Sequence, residues 1–266
     1  PLTGFSGRSY VQTPSQDSSA FDLILDDVIY SQNTNLSNSS NELSDIPRKI
    51  FSSVPLDRKK IVKVVKGLNF ACFLVQESVY CTGTGKNGEL GNGKISSSET
   101  PTLIDTSGAL KGLTVSEIAA GNNHVCVIAS SRVFCWGSNF YGQAGASDER
   151  DAFDSMKIQM QLSPIEVTSD LYLRDKKIES LSVAGNASCV VASGEPICWG
   201  QLPTGYQGKV SANTSMSGTP VALLNPGDLK KLKVSRIFIS AIAKSSMCVL
   251  AEGKPYCWSN SAFTGG

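Results

Sequence analysis

The apolar residues of this chain fall in short runs that recur at one position relative to pairs of cysteines. In these repeated units each run has the length of a strand, and none has the 3.6-residue period of an amphipathic helix. Four times, an apolar strand is followed by a small turn and then by a tight hairpin. These strands, the second of each predicted repeat, are Ile61 to Val65, Val115 to Ala119, Ile178 to Val183 and Val234 to Ile239. The pattern predicts an all-β unit that is repeated along the chain.

Two cysteines mark the hairpin of every unit, nine positions apart each time. The pairs are Cys72 with Cys81, Cys126 with Cys135, Cys189 with Cys198, and Cys248 with Cys257. If each pair faces across its hairpin, the loop has two residues, the commonest length. The cysteines then occupy a non-hydrogen-bonded position, where side chains approach most closely. Zinc favours short Cys-x-x-Cys knuckles and histidine partners, which this pattern lacks. We therefore predict four disulfides within single hairpins, no metal site, and an oxidising compartment.

Prolines divide the chain into segments. Each repeat opens with a proline and a short strand, because proline suits the first residue of a strand. The predicted segments are an N-terminal arm and linker (1–46) and the repeats 47–100, 101–163, 164–219 and 220–266. The arm holds one apolar island, Phe21 to Tyr30, which fits a strand or a short helix. Either the arm packs on its own domain, or it is donated to a neighbour's sheet.

One stretch carries a family resemblance. Gly121 to Gly145 has the form G-x-x-H-x-C followed by C-W-G-S-N-x-Y-G-Q-x-G. It resembles the repeat of the regulator of chromosome condensation family, and more closely the secreted, cysteine-bearing version. The resemblance covers about residues 47 to 266, although Thr82 and Ser259 depart from the pattern. It implies a β-propeller, commonly of seven blades. Because four repeats are recognisable, a smaller ring, a fragment, and a partial propeller closed by the arm or by another chain stay open.

Composition and sequence motifs limit which classes of partner and which cellular location we predict. The net charge is +1, whereas a dedicated nucleic-acid surface shows a strong basic excess. No apolar run approaches the about 20 residues that cross a bilayer. Asn-x-Ser/Thr sequons stand at Asn35, Asn38, Asn186 and Asn213. Together with the cysteines, they predict a secreted or cell-surface glycoprotein.

No catalytic constellation emerges from the sequence. His124 is the only histidine, and the other units have Phe70, Ala187 and Ser246 at its position. We therefore interpret it as a residue at the start of a strand. Trp136, Trp199 and Trp258 recur at one repeat position. They are interpreted as packing between blades, with an aromatic-lined glycan or peptide site as the alternative.

These observations predict a non-enzymatic extracellular binding or assembly module that needs no cofactor and presents loops to a protein or glycan partner. The candidate binding residues are Asn139, Phe140, Tyr141, Tyr206 and Gln207. One alternative is a subunit of a surface filament, a homo-oligomer formed by donating residues 1–46. A second alternative is a propeller lyase or glycosidase, whose paired carboxylates the sequence does not locate.

Overall fold

The computed structural model describes residues 61–145, 159–168, 172–202, 216–223, 232–240 and 247–258, together with the backbone of four short strands nearer the N-terminus. In this part of the chain, nineteen strands form five antiparallel sheets, I to V. Within each sheet, strands that follow one another in the chain are hydrogen-bonded neighbours. The all-β prediction is confirmed.

The strands have the following bounds. Sheet I contains β1 (Thr13–Pro14), β2 (Phe21–Leu25), β3 (Val28–Ser31) and β4 (Arg48–Lys49). Sheet II contains β5 (Ile61–Lys66), β6 (Phe70–Val75), β7 (Ser78–Gly83) and β8 (Ser98–Leu103). Sheet III contains β9 (Val115–Ala120), β10 (His124–Ala129), β11 (Arg132–Ser138) and β12 (Met160–Glu166). Sheet IV contains β13 (Ile178–Ala184), β14 (Ala187–Ala192), β15 (Glu195–Gln201) and β16 (Met216–Ala222). Sheet V contains β17 (Val234–Ile239), β18 (Met247–Ala251) and β19 (Lys254–Trp258).

The sheets are arranged as successive blades. The first strand of each sheet lies beside the first strand of the next, from β1 through β5, β9 and β13 to β17. First strands are therefore innermost, and each apolar core fills the space between two neighbouring sheets. This is the geometry of a β-propeller.

The hairpins have the predicted register. In sheet III, Cys126 is opposite Cys135 and Ala129 is opposite Arg132, so the loop is Ser130-Ser131. Both loop residues have positive φ, 49° and 61°, which is the conformation of a type I′ turn.

All four predicted disulfides are confirmed. Each joins two residues that are directly opposite in the hairpin, with a Cα–Cα distance of 4.1 Å, and no cysteine is free. The bridges are Cys72 to Cys81, Cys126 to Cys135, Cys189 to Cys198, and Cys248 to Cys257. Each sheet from II to V therefore carries its own cross-link between its second and third strands.

The prolines lie elsewhere than predicted. Pro101, Pro164 and Pro220 do not open a strand of their own repeat. They lie inside β8, β12 and β16, the fourth strands of the preceding sheets. Each stands where the register with the third strand shifts and the ladder is interrupted. Proline is tolerated there because its missing N–H breaks no ladder bond. The sequence repeat is therefore offset by one strand from the sheet.

The N-terminal arm contains strands. The apolar island forms the hairpin of β2 and β3 instead of a helix. β3 also pairs with β4, which follows Pro47. The arm strands thus complete a sheet with their own chain, and β1 lies beside β5 of sheet II.

Candidate binding face

The loop that follows β11 is held together by its own polar side chains. Asn139 is 4% exposed, and its Oδ1 accepts a hydrogen bond from the Ala144 N–H at 2.9 Å. Gln143 is also buried. Its Oε1 accepts from the Tyr141 N–H at 2.8 Å, and its Nε2 donates to the Ser138 Oγ at 3.2 Å. Residues 139–145 are therefore a rigid loop whose polar groups point inward.

Two aromatic side chains project from this loop. Phe140 is 54% exposed and Tyr141 is 37% exposed. Asn139, which we predicted as a third binding residue, is buried and supports the loop from within. Tyr206 and Gln207 lie outside the described residues. The structure thus brings Phe140 and Tyr141 together as adjacent exposed aromatics.

The same loop is anchored to the next sheet. The Gln143 carbonyl accepts hydrogen bonds from the Trp199 Nε1–H and from the Ser188 hydroxyl, both at 2.9 Å. One sheet earlier, the Glu89 carbonyl accepts from the Trp136 Nε1–H at 2.9 Å. Both tryptophans are fully buried, so they pack between blades and do not line an aromatic site. The side chain of Trp258 lies outside the described residues.

Sequence reasoning missed the residue that organises the corresponding loop of sheet II. Glu89 is fully buried. Its carboxylate accepts from the backbone N–H and the Nδ2 of Asn87, both at 2.7 Å, and from Asn123 Nδ2 at 3.1 Å. Glu89 and Gln143 occupy one position of a shared G-x-x-G pattern, G-E-L-G and G-Q-A-G. This pattern is the signal that identifies both residues as loop supports.

His124 is a contact between sheets III and IV. Its ring is fully buried, and Nε2 lies 2.9 Å from the Ser188 Oγ. Because the Ser188 hydroxyl donates to the Gln143 carbonyl, His124 Nε2–H is the donor in this pair. Nδ1 has no hydrogen-bond partner among the described residues. Burial lowers the pKa of His124 to about 3, so the ring is neutral at physiological pH.

Charged residues lie along the innermost strands. Lys63 on β5 and Glu117 on β9 form an ion pair, with 3.8 Å between Nζ and Oε1. Burial raises the pKa of Glu117, while the charges of Lys63 and of Arg236 on β17 oppose that rise. Within the described ranges, no group of three or more His, Cys, Asp or Glu is placed to hold a metal ion.

A cleft lies at the opposite face, where the two-residue turns stand. It has a volume of about 350 Å³ between sheets III and IV, and its apolar lining includes Val133, Val167 and Ile178. At the rim of the cleft, Arg132 and Glu166 form a salt bridge with 2.8 Å between Nη1 and Oε2. The rim charges of this pair thus neutralise each other.

One of the four sequons lies in the described part of the chain. Asn186 stands in the turn between β13 and β14, and its Nδ2 donates to Gln201 Oε1 at 3.0 Å. Ser188, the third residue of that sequon, is fully buried. Asn35, Asn38 and Asn213 lie outside the described residues. Glycosylation stays a prediction at all four sites.

Family models match the centre of the chain. Two models described as "Regulator of chromosome condensation (RCC1) repeat" match residues 76–128 and 115–143. The probable E3 ubiquitin-protein ligase HERC4 of Rattus norvegicus is 37% identical over 117 residues, which are 43% of this chain and 10% of that protein. The E3 ubiquitin-protein ligase HERC2 of Homo sapiens is 33% identical over 94 residues, 35% of this chain and 2% of that protein.

A third relative matches a longer part of the chain at lower sequence identity. The ultraviolet-B receptor UVR8 of Arabidopsis thaliana is 29% identical over 252 residues, 78% of this chain and 55% of the receptor. The chain therefore spans about half of this relative and a small part of the ligases.

Solved structures share the fold. Human WBSCR16 has a TM-score of 0.67 at 19% identity, with 90% of this chain and 59% of that chain covered. Prp20p of Saccharomyces cerevisiae has a TM-score of 0.63 at 19% identity, with coverages of 90% and 56%. Together with the repeat matches, the fold defines the class: this is a repeat β-propeller of the RCC1 type. Residues 76–143 match the RCC1 repeat, and each sheet from II to V carries one disulfide.

Within the described part of the chain, no helix is long and apolar enough to cross a membrane.

Proposed function

We propose that this chain is a non-enzymatic, protein-binding β-propeller that works outside the cell or at its surface. The observation that carries the proposal is the pair of exposed aromatics, Phe140 and Tyr141, on a loop fixed by buried Asn139 and Gln143. Aromatic side chains dominate the energetic centres of protein interfaces. A loop that is already ordered loses little conformational entropy on binding.

A protein partner has more support than a glycan. Prp20p of Saccharomyces cerevisiae has binding properties toward Gsp1p and histones. Fold alone does not transfer a partner. The likeness nevertheless favours protein recognition as the class of activity, while no described residue favours a glycan site or a filament.

The proposed extracellular location is supported by the four disulfides. Four cross-links in one chain persist in oxidising compartments and are reduced in the cytosol. We test this by blocking thiols with an alkylating reagent in material from the native source and then measuring mass before and after reduction. Alkylated cysteines in the unreduced protein would contradict an extracellular location.

The state of the cysteines and of the single histidine supports the proposal that the chain is non-enzymatic. All eight cysteines are oxidised, and His124 is buried, neutral and bonded to Ser188. An oxidised cysteine is not a nucleophile.

The binding proposal is tested by photo-crosslinking. We place a photoreactive phenylalanine analogue at position 140 and, as a matched control, at Leu103, which is 46% exposed on β8. Both proteins are incubated with the extracellular protein fraction of the native source and irradiated. We expect one dominant cross-linked protein from position 140, absent from position 103 and lost with Tyr141→Ala. Equal patterns from both positions would overturn the proposal.

A further inference from the structure

The sequon at Asn186 stands at a turn position that recurs along the chain. Asn69, Asn123 and Asn186 each precede the second strand of their sheet, and the backbone carbonyl of each accepts a hydrogen bond at 2.8 Å. The donors are the N–H groups of Thr84, Ser138 and Gln201. Only Asn186 has a serine or threonine two positions later. Asparagine is therefore common to the three turns, whereas the sequon is particular to sheet IV.

The side chain of Asn186 can carry a glycan and keep its place in the fold. Asn186 is half-buried, and its Nδ2 donates to Gln201 Oε1 at 3.0 Å. A side-chain amide nitrogen has two hydrogens. One N–H therefore keeps the bond to Gln201 when the other hydrogen is replaced by a glycosidic bond.

Ser188, the third residue of the sequon, fixes when the glycan is added. Its side chain is fully buried, donates to the Gln143 carbonyl and lies 2.9 Å from His124 Nε2. A transferase recognises the hydroxyl of a sequon together with its asparagine. Because Ser188 is out of reach once sheet IV has packed on sheet III, transfer to Asn186 has to precede that packing.

The Asn186 turn lies against the loop that carries Phe140 and Tyr141. A Cβ added to Gly200 would stand 2.3 Å from the Asn186 carbonyl oxygen and 3.1 Å from the Gln143 Cα, so both residues pack on this glycine. The Gln143 side chain in turn accepts from the Tyr141 N–H at 2.8 Å. A group attached to Asn186 therefore stands beside the exposed aromatic pair.

We propose that Asn186 carries an N-linked oligosaccharide, and that this glycan restricts the access of a protein partner to Phe140 and Tyr141. The donor is an oligosaccharide on a lipid pyrophosphate. Asn186 Nδ2 bonds to its anomeric carbon, the bond from that carbon to the pyrophosphate oxygen breaks, and Nδ2 releases one proton. The lipid pyrophosphate leaves, and the bulky glycan stays on the turn. This role of the glycan depends on the proposed function, because it concerns the same loop and the same secretory route.

Two measurements on the whole chain test the proposal. Peptide mass mapping of protein from the native source gives the occupancy of Asn186, which we expect to be glycosylated. For partner access, cells that make only high-mannose glycans secrete the chain with the photoreactive phenylalanine analogue at position 140. We expect Asn186→Gln to raise the yield of the dominant cross-linked protein several-fold, because it removes only this glycan. Asn69→Gln is the matched control and should leave the yield unchanged, since it alters the same turn position where no sequon exists.

Enzymatic trimming keeps the test decisive if a variant folds poorly. An endoglycosidase that leaves one sugar on each asparagine should raise the yield from the unaltered chain to that of Asn186→Gln, and should not change the yield from Asn186→Gln. Equal yields before and after trimming, or an equal rise with Asn69→Gln, would overturn the proposal. Unmodified Asn186 in the native protein would also overturn it and would leave the proposed function standing. If the trimmed chain gave no dominant cross-linked protein, the proposed function would fail and the role of the glycan with it.

Discussion

At the scale of single residues, one glycine position shows how the repeat constrains its sequence. Gly137 follows Cys135-Trp136 and has a φ of +98°. A Cβ there would stand 2.5 Å from the Asn123 carbonyl oxygen and 2.8 Å from the His124 Cα. The same close approach of a carbonyl recurs at Gly83 and Gly200. Conformation and space both require glycine at this position.

Gly137→Ala should destabilise the fold by about 2–4 kcal/mol, because positive φ and a backbone clash act together. Gly112→Ala is the control: its φ is +72°, but nothing lies within 4 Å of its added Cβ. Gly112→Ala should lower the free energy of unfolding by about 1 kcal/mol. Urea unfolding measures both changes, and similar midpoints for the two variants would contradict the role of the clash.

His124 predicts a pH dependence with a defined sign. Its folded pKa is about 3, below the ordinary value of 6.5, so protonation favours the unfolded chain. The stability that neutral His124 contributes to the folded state is fully present above pH 6.5 and is lost as the pH falls toward 3. Relative to His124→Gln, the native protein should lose stability across this window by up to about 1.4 kcal/mol per pH unit. Urea unfolding at several pH values measures the difference, and a constant difference would contradict the assignment.

At the scale of elements, each hairpin combines a local cross-link with contacts to its neighbours. The Cys126–Cys135 and Cys189–Cys198 bridges are buried between sheets, whereas Cys257 is exposed. All four bridges span the same sequence separation. The loop entropy that each removes from the unfolded chain is therefore the same.

Replacing both cysteines of a bridge by alanine separates packing from cross-linking. Loss of the Cys126–Cys135 bridge should cost more than loss of the Cys248–Cys257 bridge, by about 1–2 kcal/mol, since it also removes buried sulfur atoms. The shared entropic part is about 2–3 kcal/mol. Guanidinium unfolding measures the free energy of unfolding of both variants. Equal decreases in the two variants would show that burial of the bridge adds nothing to stability.

At the scale of the whole molecule, the sheets depend on one another for their cores. Ile61, Val64, Phe73 and Val75 form a buried cluster on the face of sheet II that is turned away from sheet III. β1 of sheet I lies beside β5. The interaction between successive sheets, as in other repeat proteins, is a large part of stability.

Deleting residues 1–46 should therefore expose this cluster. We expect increased binding of a hydrophobic dye, a lower unfolding midpoint, and aggregation that rises with concentration. Deleting residues 1–12, which leaves β1 to β4 intact, is the control. If the longer deletion instead abolished an oligomer formed by the native chain, the filament hypothesis would be supported.

The sequence by itself determined the hairpins, their register and the four disulfides. These features are local, because each cysteine pair is separated by nine positions and one two-residue turn aligns both strands. It also determined the repeat, from which the propeller class followed.

Only the tertiary structure decided which sheet each proline-bearing strand completes. It also decided that Asn139 supports its loop, that Glu89 is buried, and that His124 joins two sheets. The physical reason is that Glu89 and His124 have partners in other sheets, whereas Asn139 is turned inward to bond the Ala144 N–H within its own loop. His124 and Ser188 are 64 positions apart, and Glu89 and Asn123 are 34 apart. Hydrophobic pattern alone does not place such distant groups beside one another.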